Sequence, residues 1–385
     1  MNNFQFKNPT KILFGKGQIA NISKELHINQ KILLLYGGGS IKKNGVYDQV
    51  MDALKGYNIT EFSGIEANPR YETCMKAIDL VKDENIEFIL AVGGGSVIDA
   101  AKFIAAGVYI ETDPWMILSH RAKIKQALPI GTVLTLPATA SEMNGNSVIT
   151  KEATKEKLAF GSPYVYPQFS VLDPETTLSL PARQIANGVV DAFSHVMEQY
   201  MTYPADAPLQ DRMAEGILLT LIEEGPKTYA NPKDYNSRAN IMWACTMALN
   251  GIIGVGVPQD WATHGIGHEL TALFEIDHAR TLAIVMPGIF QYKSEQKKEK
   301  LLQYASRIWN ITEGSEDDMI KKAIQKTVEF FESLDIKTKL ADYDVKEEAI
   351  EEIAERLAHR NQDAGLGEHK DIYKDDVVKI LEYAK

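Results

Sequence analysis

Between about residue 30 and residue 175 the chain alternates short, unbroken apolar runs with stretches in which apolar residues recur at helical spacing. Lys31–Tyr36 (KILLLY) is the first run, and Gly37-Gly38-Gly39-Ser40 closes it. Val46, Val50, Met51 and Leu54 then mark a helix, with Gly56 as its stop. Glu87–Val92 (EFILAV) reads as a second strand, closed by Gly93-Gly94-Gly95-Ser96, and the helix VIDAAKFIAAG runs from there to Gly107. Thr132–Leu136 and Phe169–Leu172 read as a third and a fourth strand. The third ends in Pro137-Ala138-Thr139-Ala140-Ser141-Glu142 and the fourth at Asp173-Pro174. Strands interleaved with helices predict a mainly parallel, Rossmann-like sheet covered by helices on both faces. After Asp173-Pro174 strand patterns fade and helical periodicity carries on to Lys385, with Leu180-Pro181 suiting a helix start. The expected organisation is an α/β domain over residues 1–178 and an all-helical domain over residues 179–385.

Bulk properties narrow the class without naming the chemistry. A chain of 385 residues outgrows a single core, so two domains are expected. Its 45% apolar and 24% charged residues are ordinary for a globular enzyme. A net charge of −11 argues against nucleic acid or an anionic membrane as partner. Cys74 and Cys245 are too few and too far apart for a disulfide framework and read as core residues. No stretch has the length of a signal peptide or a membrane span, so a cytoplasmic location is expected.

The two Gly-Gly-Gly-Ser turns are the first chemical signal. A glycine turn between strand and helix lets backbone N–H groups approach a phosphate, although a tight left-handed turn with no ligand explains the same residues. Gly93–Ser96 is the stronger candidate, because a helix follows it directly. After Lys31–Tyr36 there is no carboxylate for an adenosine ribose. Gly38, Ser40 and the nearby Lys42 and Lys43 suit a 2′-phosphate instead, which favours NADP(H) over NAD(H). Thr135, Thr139 and Ser141 stand at a strand end, placed either to contact the cofactor or to cap the next turn.

Eight histidines are unevenly spread. His27, His120, His359 and His369 lie in polar surroundings, whereas His195, His264, His268 and His278 fall in segments that read as buried helix. Asn187, Asp191 and His195 recur every four residues as a polar stripe on a helix from about Arg183 to Tyr200. His264 and His268 are again four apart, and His278 follows ten residues later. One carboxylate and two or three imidazoles suit a divalent metal such as Zn²⁺ or Fe²⁺, but spacing alone does not choose among these histidines.

GGGSVIDAAK, LPATASE, the Asp-x-x-x-His step of VDAFSHVMEQ, and HGIGHEL followed by DHAR together resemble the iron-containing (group III) alcohol dehydrogenases. Within these the likeness is to the butanol dehydrogenase and NADPH-dependent aldehyde reductase branch, and it covers nearly the whole chain. The resemblance implies a dehydroquinate synthase-like architecture, a homodimer, and reversible hydride transfer between a primary alcohol and its aldehyde with NAD(P)(H). It implies Asp191, His195, His264 and His278 as metal ligands, with His268 as a further active-site histidine that handles the proton. Gly94, Gly95, Ser96 and Asp99 would face the pyrophosphate and nicotinamide, and Gly38 and Ser40 the adenosine ribose. Thr135, Thr139, Ser141, Asn144 and Lys157 would line the rest of the cofactor groove. Where the family has Gly-Thr-Gly-Ser-Glu, this chain has Ala138-Thr139-Ala140-Ser141-Glu142. Two alternatives belong to other classes: a dehydroquinate synthase-like lyase, which would need several cations near the metal, and a non-catalytic nucleotide-binding relative.

Overall fold

The computed structural model describes all 385 residues. Eight strands are present: β1 (Lys11–Phe14), β2 (Lys31–Tyr36), β3 (Asn58–Phe62), β4 (Phe88–Gly94), β5 (Ile130–Leu136), β6 (Asn146–Lys151), β7 (Glu156–Gly161) and β8 (Phe169–Leu172). Helices α1 (Ser40–Lys43), α2 (Val46–Ala53), α3 (Tyr71–Asp83), α4 (Gly95–Gly107) and α5 (Met116–Ser119) lie among them. The rest is helical: α6 (Ala182–Tyr200), α7 (Pro208–Ala230), α8 (Tyr235–Ala248), α9 (Ala262–Phe274), α10 (His278–Tyr292), α11 (Lys298–Trp309), α12 (Glu316–Ser333), α13 (Ala349–Arg360) and α14 (Lys374–Glu382).

Six strands form one sheet in the order β1-β8-β5-β4-β2-β3, every neighbouring pair parallel. Its central strands are mainly apolar because both faces are covered, with Thr132, Thr135 and Ser170 as buried hydroxyl exceptions. Leu33, Leu35, Ile89 and Ala91 face a core completed by Ile78, Ile98 and Ile104 from α3 and α4. Ile32, Leu34, Leu90 and Val92, one residue out of phase, face a second core with Ile19, Ile22, Val46 and Val50. The four strands read from the pattern are all present. The edge strands β1 and β3 and the antiparallel hairpin β6–β7 are not apparent in that pattern, because their residues are half-exposed and mixed in polarity.

The chain divides into two compact units. The α/β unit comprises Lys7–Leu180 and Pro232–Thr246, and the helical unit comprises Met1–Phe6, Pro181–Asn231 and Met247–Lys385. The sequence suggests a single junction at 178/179, so two segments are placed differently. Most of α8 belongs with the sheet: Met242 is buried in its core, the Trp243 ring meets Phe14 of β1 edge-on at 5.9 Å, and Thr246 donates to Glu142 at 2.6 Å. Helical periodicity cannot reveal which unit buries a helix. At the other end, Asn2 N–H donates to Gly256 O at 2.8 Å, tying the first residues to the helical unit.

Candidate active site

Helix α6 is buried from Ile185 to Tyr200 without interruption. Its polar residues therefore need partners or a ligand, since a buried polar group left alone costs roughly 1–3 kcal/mol. Asp191 and His195 share one side of it, and α9 and α10 bring up His264 and His278. His195 Nδ1 and His278 Nε2 each lie 3.8 Å from Asp191 Oδ1. One ligand-type atom from each of Asp191, His195 and His264 lies within 4.8 Å of the others. The His195 and His264 rings stack at 4.7 Å, and the His278 ring is 5.2 Å from that of His264. Two ligands on a single Zn²⁺-sized ion stand roughly 3–3.5 Å apart, given bonds of about 2.1 Å. The two 3.8 Å separations are too long for hydrogen bonds and a little wider than that spacing.

The donor atoms also have the right chemistry for a metal. His195 Nδ1 is buried with no hydrogen-bond partner. Burial, opposed by Asp191, pushes the His195 imidazole down to about 4. It is therefore neutral near pH 7, the form that ligates. His268, one turn beyond His264, is partly exposed, with its ring 5.2 Å from that of His278. The start of α10 is fixed by Asp277, which accepts from Arg183 at 2.7 Å and from Asn187 at 2.8 Å. The upper end of the Asn187–Asp191–His195 stripe thus anchors the His278 turn.

A second layer lies behind His264. Glu198 is 3% exposed and accepts from His264 N–H at 2.9 Å and from Trp261 N–H at 3.1 Å; its Oε1 also lies 2.9 Å from His264 Nδ1. Burial, and then the neighbouring Asp260, raise its pKa, against the N–H donors and Lys297. Lys297, itself buried, bonds Asp260 at 2.9 Å, Glu368 at 2.5 Å and Met201 O at 2.8 Å. Neither Glu198 nor Lys297 stands out as a candidate in the sequence. The available signal was Glu198 at i+7 from Asp191 and i+3 from His195, on the same helix face.

In the α/β unit the expected glycine turn is instead a direct passage from strand to helix, with Gly93 and Gly94 ending β4 and Gly95 starting α4, and these glycines have a reason the sequence does not show. None of Gly93, Gly94 and Gly95 has a positive φ. A Cβ on Gly93 would lie 2.5 Å from Val97, one on Gly94 3.0 Å from Leu136, and one on Gly95 2.3 Å from Thr139 Oγ1. Close approach of Gly93 to α4, of Gly94 to β5 and of Gly95 to the loop after β5 is what requires glycine here. In the first turn Gly39 does sit at φ +91, where a Cβ is disfavoured. Gly38 and Ser40 are exposed there. Lys42 is turned to Glu61 at 3.6 Å and lies over the rings of Tyr36 and Tyr47.

Asp99, Ser141 and Asn144 meet in a buried cluster around a residue the sequence reading omits, Lys102. Its Nζ donates to Ser141 at 2.8 Å, Asn144 Oδ1 at 3.1 Å and Asn146 O at 2.7 Å. Ser141 in turn donates to Asp99 at 2.5 Å, and Val148 N–H donates to the other Asp99 oxygen at 2.9 Å. Burial lowers the Lys102 amine to about 8 and raises the Asp99 carboxyl. A lysine three residues after Asp99, in a helix whose only other polar side chain is Ser96, was the available signal. Ser96 and Lys157 converge on one loop, Ser96 Oγ donating to Ala67 O and Lys157 Nζ to Asn68 Oδ1 at 3.1 Å.

Residues 9–174 match the family model described as "Iron-containing alcohol dehydrogenase", and residues 185–385 match "Fe-containing alcohol dehydrogenase family, C-terminal". The chain belongs to the iron-containing alcohol dehydrogenase family. Its reaction class is accordingly the interconversion of alcohols and aldehydes. Among relatives of this alcohol dehydrogenase, the NADPH-dependent aldehyde reductase YqhD of Escherichia coli is 55% identical, with all of both chains covered. A probable NADH-dependent butanol dehydrogenase of Bacillus subtilis is 45% identical over 99% of each chain. Two solved structures share the fold. The substrate- and cofactor-free aldehyde reductase YqhD matches at a TM-score of 0.93 and 53% identity over 100% of both chains. The NADH-dependent butanol dehydrogenase A of Thermotoga maritima matches at 0.95 and 40% identity, covering 100% of this chain and 99% of the other. No helix of this alcohol dehydrogenase is long and apolar enough to cross a membrane.

Proposed function

We propose that this alcohol dehydrogenase works chiefly as an NADP(H)-dependent reductase of small aldehydes, with one divalent metal held by Asp191, His195, His264 and His278. The observation that carries the reading is the convergence of three imidazoles on one buried carboxylate at near-coordination spacing, on three different helices. The metal, Fe²⁺ or Zn²⁺, would act as a Lewis acid on the substrate oxygen. Reduced nicotinamide would supply the hydride. Asp191 and the three imidazoles hold the site, and the neutral state of His195 keeps a lone pair available at neutral pH. His268, partly exposed beside His278, passes the alcohol proton to and from solvent.

On the α/β side, Gly94, Gly95 and Ser96 form the strand-to-helix passage that receives the pyrophosphate. Thr135, Thr139 and Lys157 contact the remainder of the cofactor, while Asp99, Ser141 and Asn144 act from the Lys102 cluster by fixing that wall. Gly38 and Ser40 leave room for a 2′-phosphate and put no carboxylate against it. The E. coli relative named as NADPH-dependent supports this choice. A dehydroquinate synthase-like lyase needs cations free to bind its substrate, and those beside the ligand segments are engaged: Arg280 by Asp335 O at 3.3 Å and Asp277 at 3.7 Å, Arg183 by Asp277 at 2.7 Å, and Arg360 by Glu269 and by Gly265 O at 3.2 Å. The same reading makes the enzyme a cytoplasmic homodimer, which sedimentation of the purified protein and cell fractionation test.

The deciding experiment measures initial rates at 340 nm with butanal and other aldehydes, using NADPH and NADH in parallel, alongside metal analysis. We expect about one metal per chain and a higher kcat/KM with NADPH. Full turnover in a metal-stripped His264→Ala protein would overturn the ligand assignment, and a strong NADH preference would overturn the reading of Gly38 and Ser40.

A further inference from the structure

The Glu198 carboxylate is committed to one short segment of chain. Its Oε1 accepts from the backbone N–H of His264 and lies 2.9 Å from the Nδ1 of the same residue, while Oε2 accepts from the backbone N–H of Trp261. The main-chain oxygen of Glu198 accepts from Asp260 N–H at 2.9 Å. Residues 260–264 are therefore gripped at four points by one residue of α6. That segment needs holding, because Trp261 begins α9 at φ +64, a left-handed conformation that costs a non-glycine residue on the order of 1 kcal/mol. The first turn of α9 has N–H groups with no partner inside the helix, and Glu198 supplies acceptors from another helix.

We propose that Glu198 is the positioning residue of the metal centre: it fixes the tautomer and ring angle of His264, so that Nε2 is presented to the metal before any metal arrives. This rests on His264 being a ligand. A carboxylate that accepts from Nδ1 places the ring proton on Nδ1 and the lone pair on Nε2. Carboxylate partners of ligating imidazoles orient the ring and raise its basicity, and their loss typically costs 10–100-fold in metal affinity. Glu198 lies on the same face of α6 as Asp191 and His195, so a single rigid helix sets two ligands directly and a third through its partner. Lys297 steadies the arrangement from behind. It bonds Asp260 and Glu368, which leaves Glu198 with N–H partners only.

The test uses the full-length, metal-free protein and Co²⁺ as the probe. Long-range ¹H–¹⁵N correlation of histidine-labelled wild type should show His264 as a single Nδ1–H tautomer, a readout that needs no metal and no variant. Glu198→Gln, which keeps size and shape, should retain the far-UV spectrum. It should bind Co²⁺ 10–100-fold more weakly in chelator competition and shift the visible Co²⁺ bands. Glu198→Asp, too short to reach Nδ1 while holding Trp261, should behave alike. An Nε2–H tautomer in the wild type, or unchanged Co²⁺ affinity and spectrum in Glu198→Gln, overturns the proposal. Failure of the ligand reading itself looks different: His264→Ala would then bind Co²⁺ as tightly as wild type.

Discussion

Replacing Gly95 by alanine separates two reasons for the glycine passage, tight packing and room for a cofactor phosphate. The new Cβ would lie 2.3 Å from Thr139 Oγ1, 2.9 Å from Thr139 Cγ2 and 3.2 Å from Thr139 Cβ. The first two distances are closer than real Cβ atoms come, so Thr139 or its loop must move. Overpacking of this kind costs typically about 1–3 kcal/mol. Against it stands the gain from removing a helical glycine, at most about 1 kcal/mol. The net expectation is a loss of roughly 1–2 kcal/mol. Thr139→Ala deletes the two nearest atoms but also the acceptor for Ser141 N–H at 3.2 Å, at about 1 kcal/mol. The double variant should therefore be more stable than the singles add up to, with a coupling of about 1–2 kcal/mol in a double-mutant cycle. Urea unfolding followed by circular dichroism measures the cycle, and quenching of NADPH fluorescence measures cofactor affinity on the same four proteins. If the passage also cradles phosphate, the double variant regains stability yet binds NADPH at least about tenfold more weakly than Thr139→Ala alone, the comparison that cancels Thr139's own contact with the cofactor. A coupling near zero, or a Gly95→Ala protein as stable as wild type, refutes the packing argument.

Other substitutions probe the remaining parts. His278→Ala should lower bound metal from about one per chain to a small fraction, read by elemental analysis after dialysis. Retention of wild-type content would remove His278 from the ligand set. Gly38→Asp puts a carboxylate where a 2′-phosphate is expected, and should lower kcat/KM for NADPH more than tenfold while sparing NADH. An equal effect on both cofactors counts against that placement. Lys102→Met strands the acceptors on Ser141, Asn144 and Asn146 and should cost roughly 2–4 kcal/mol in urea unfolding. The same lysine predicts a pH effect of definite sign. Its native pKa of about 8 lies below that of an unfolded lysine, about 10.4, so between these values the unfolded chain binds more protons and stability rises with pH. From pH 7.5 to 9.5 this group should add roughly 2 kcal/mol relative to a Lys102→Met/Asp99→Asn protein, in which neither group titrates. A wild type that loses stability relative to that reference over the same interval would reverse the assignment.

The sheet's centre was legible because burial on both faces keeps charged residues out of the middle of β2, β4, β5 and β8 and leaves runs rich in apolar residues. Edge strands have one side in water, so β1 and β3 mix polar with apolar residues and match neither periodic pattern. For the candidate metal site, spacing picked out the stripe on α6 and left the choice among four histidines open, because angular position on a helix says nothing of which partner helix arrives opposite it. Glu198 was within reach of the same argument, at i+7 from Asp191, but a glutamate near a helix end reads first as a solvated residue. Lys102 had the clearer signal, since no solvent face exists on α4. Motif transfer has a limit here: the resemblance implies that Asp99, Ser141 and Asn144 face a cofactor, yet their side chains are engaged with one another, Lys102 and backbone.

The excursion of residues 232–246 into the α/β unit has a consequence for how the protein can be made and divided. During synthesis the sheet emerges first, yet Trp243, the neighbour of Phe14, and Thr246, the partner of the buried Glu142, follow only after α6 and α7 have appeared. The nascent sheet must wait, with Phe14 and the pocket for Met242 uncovered, until much of the second half has been translated. Cutting the gene at Leu180 would leave that vacancy permanent, so neither product would be a natural folding module. A split reporter or an isolated nucleotide-binding fragment would have to carry the α8 segment back in, by circular permutation or as an added peptide.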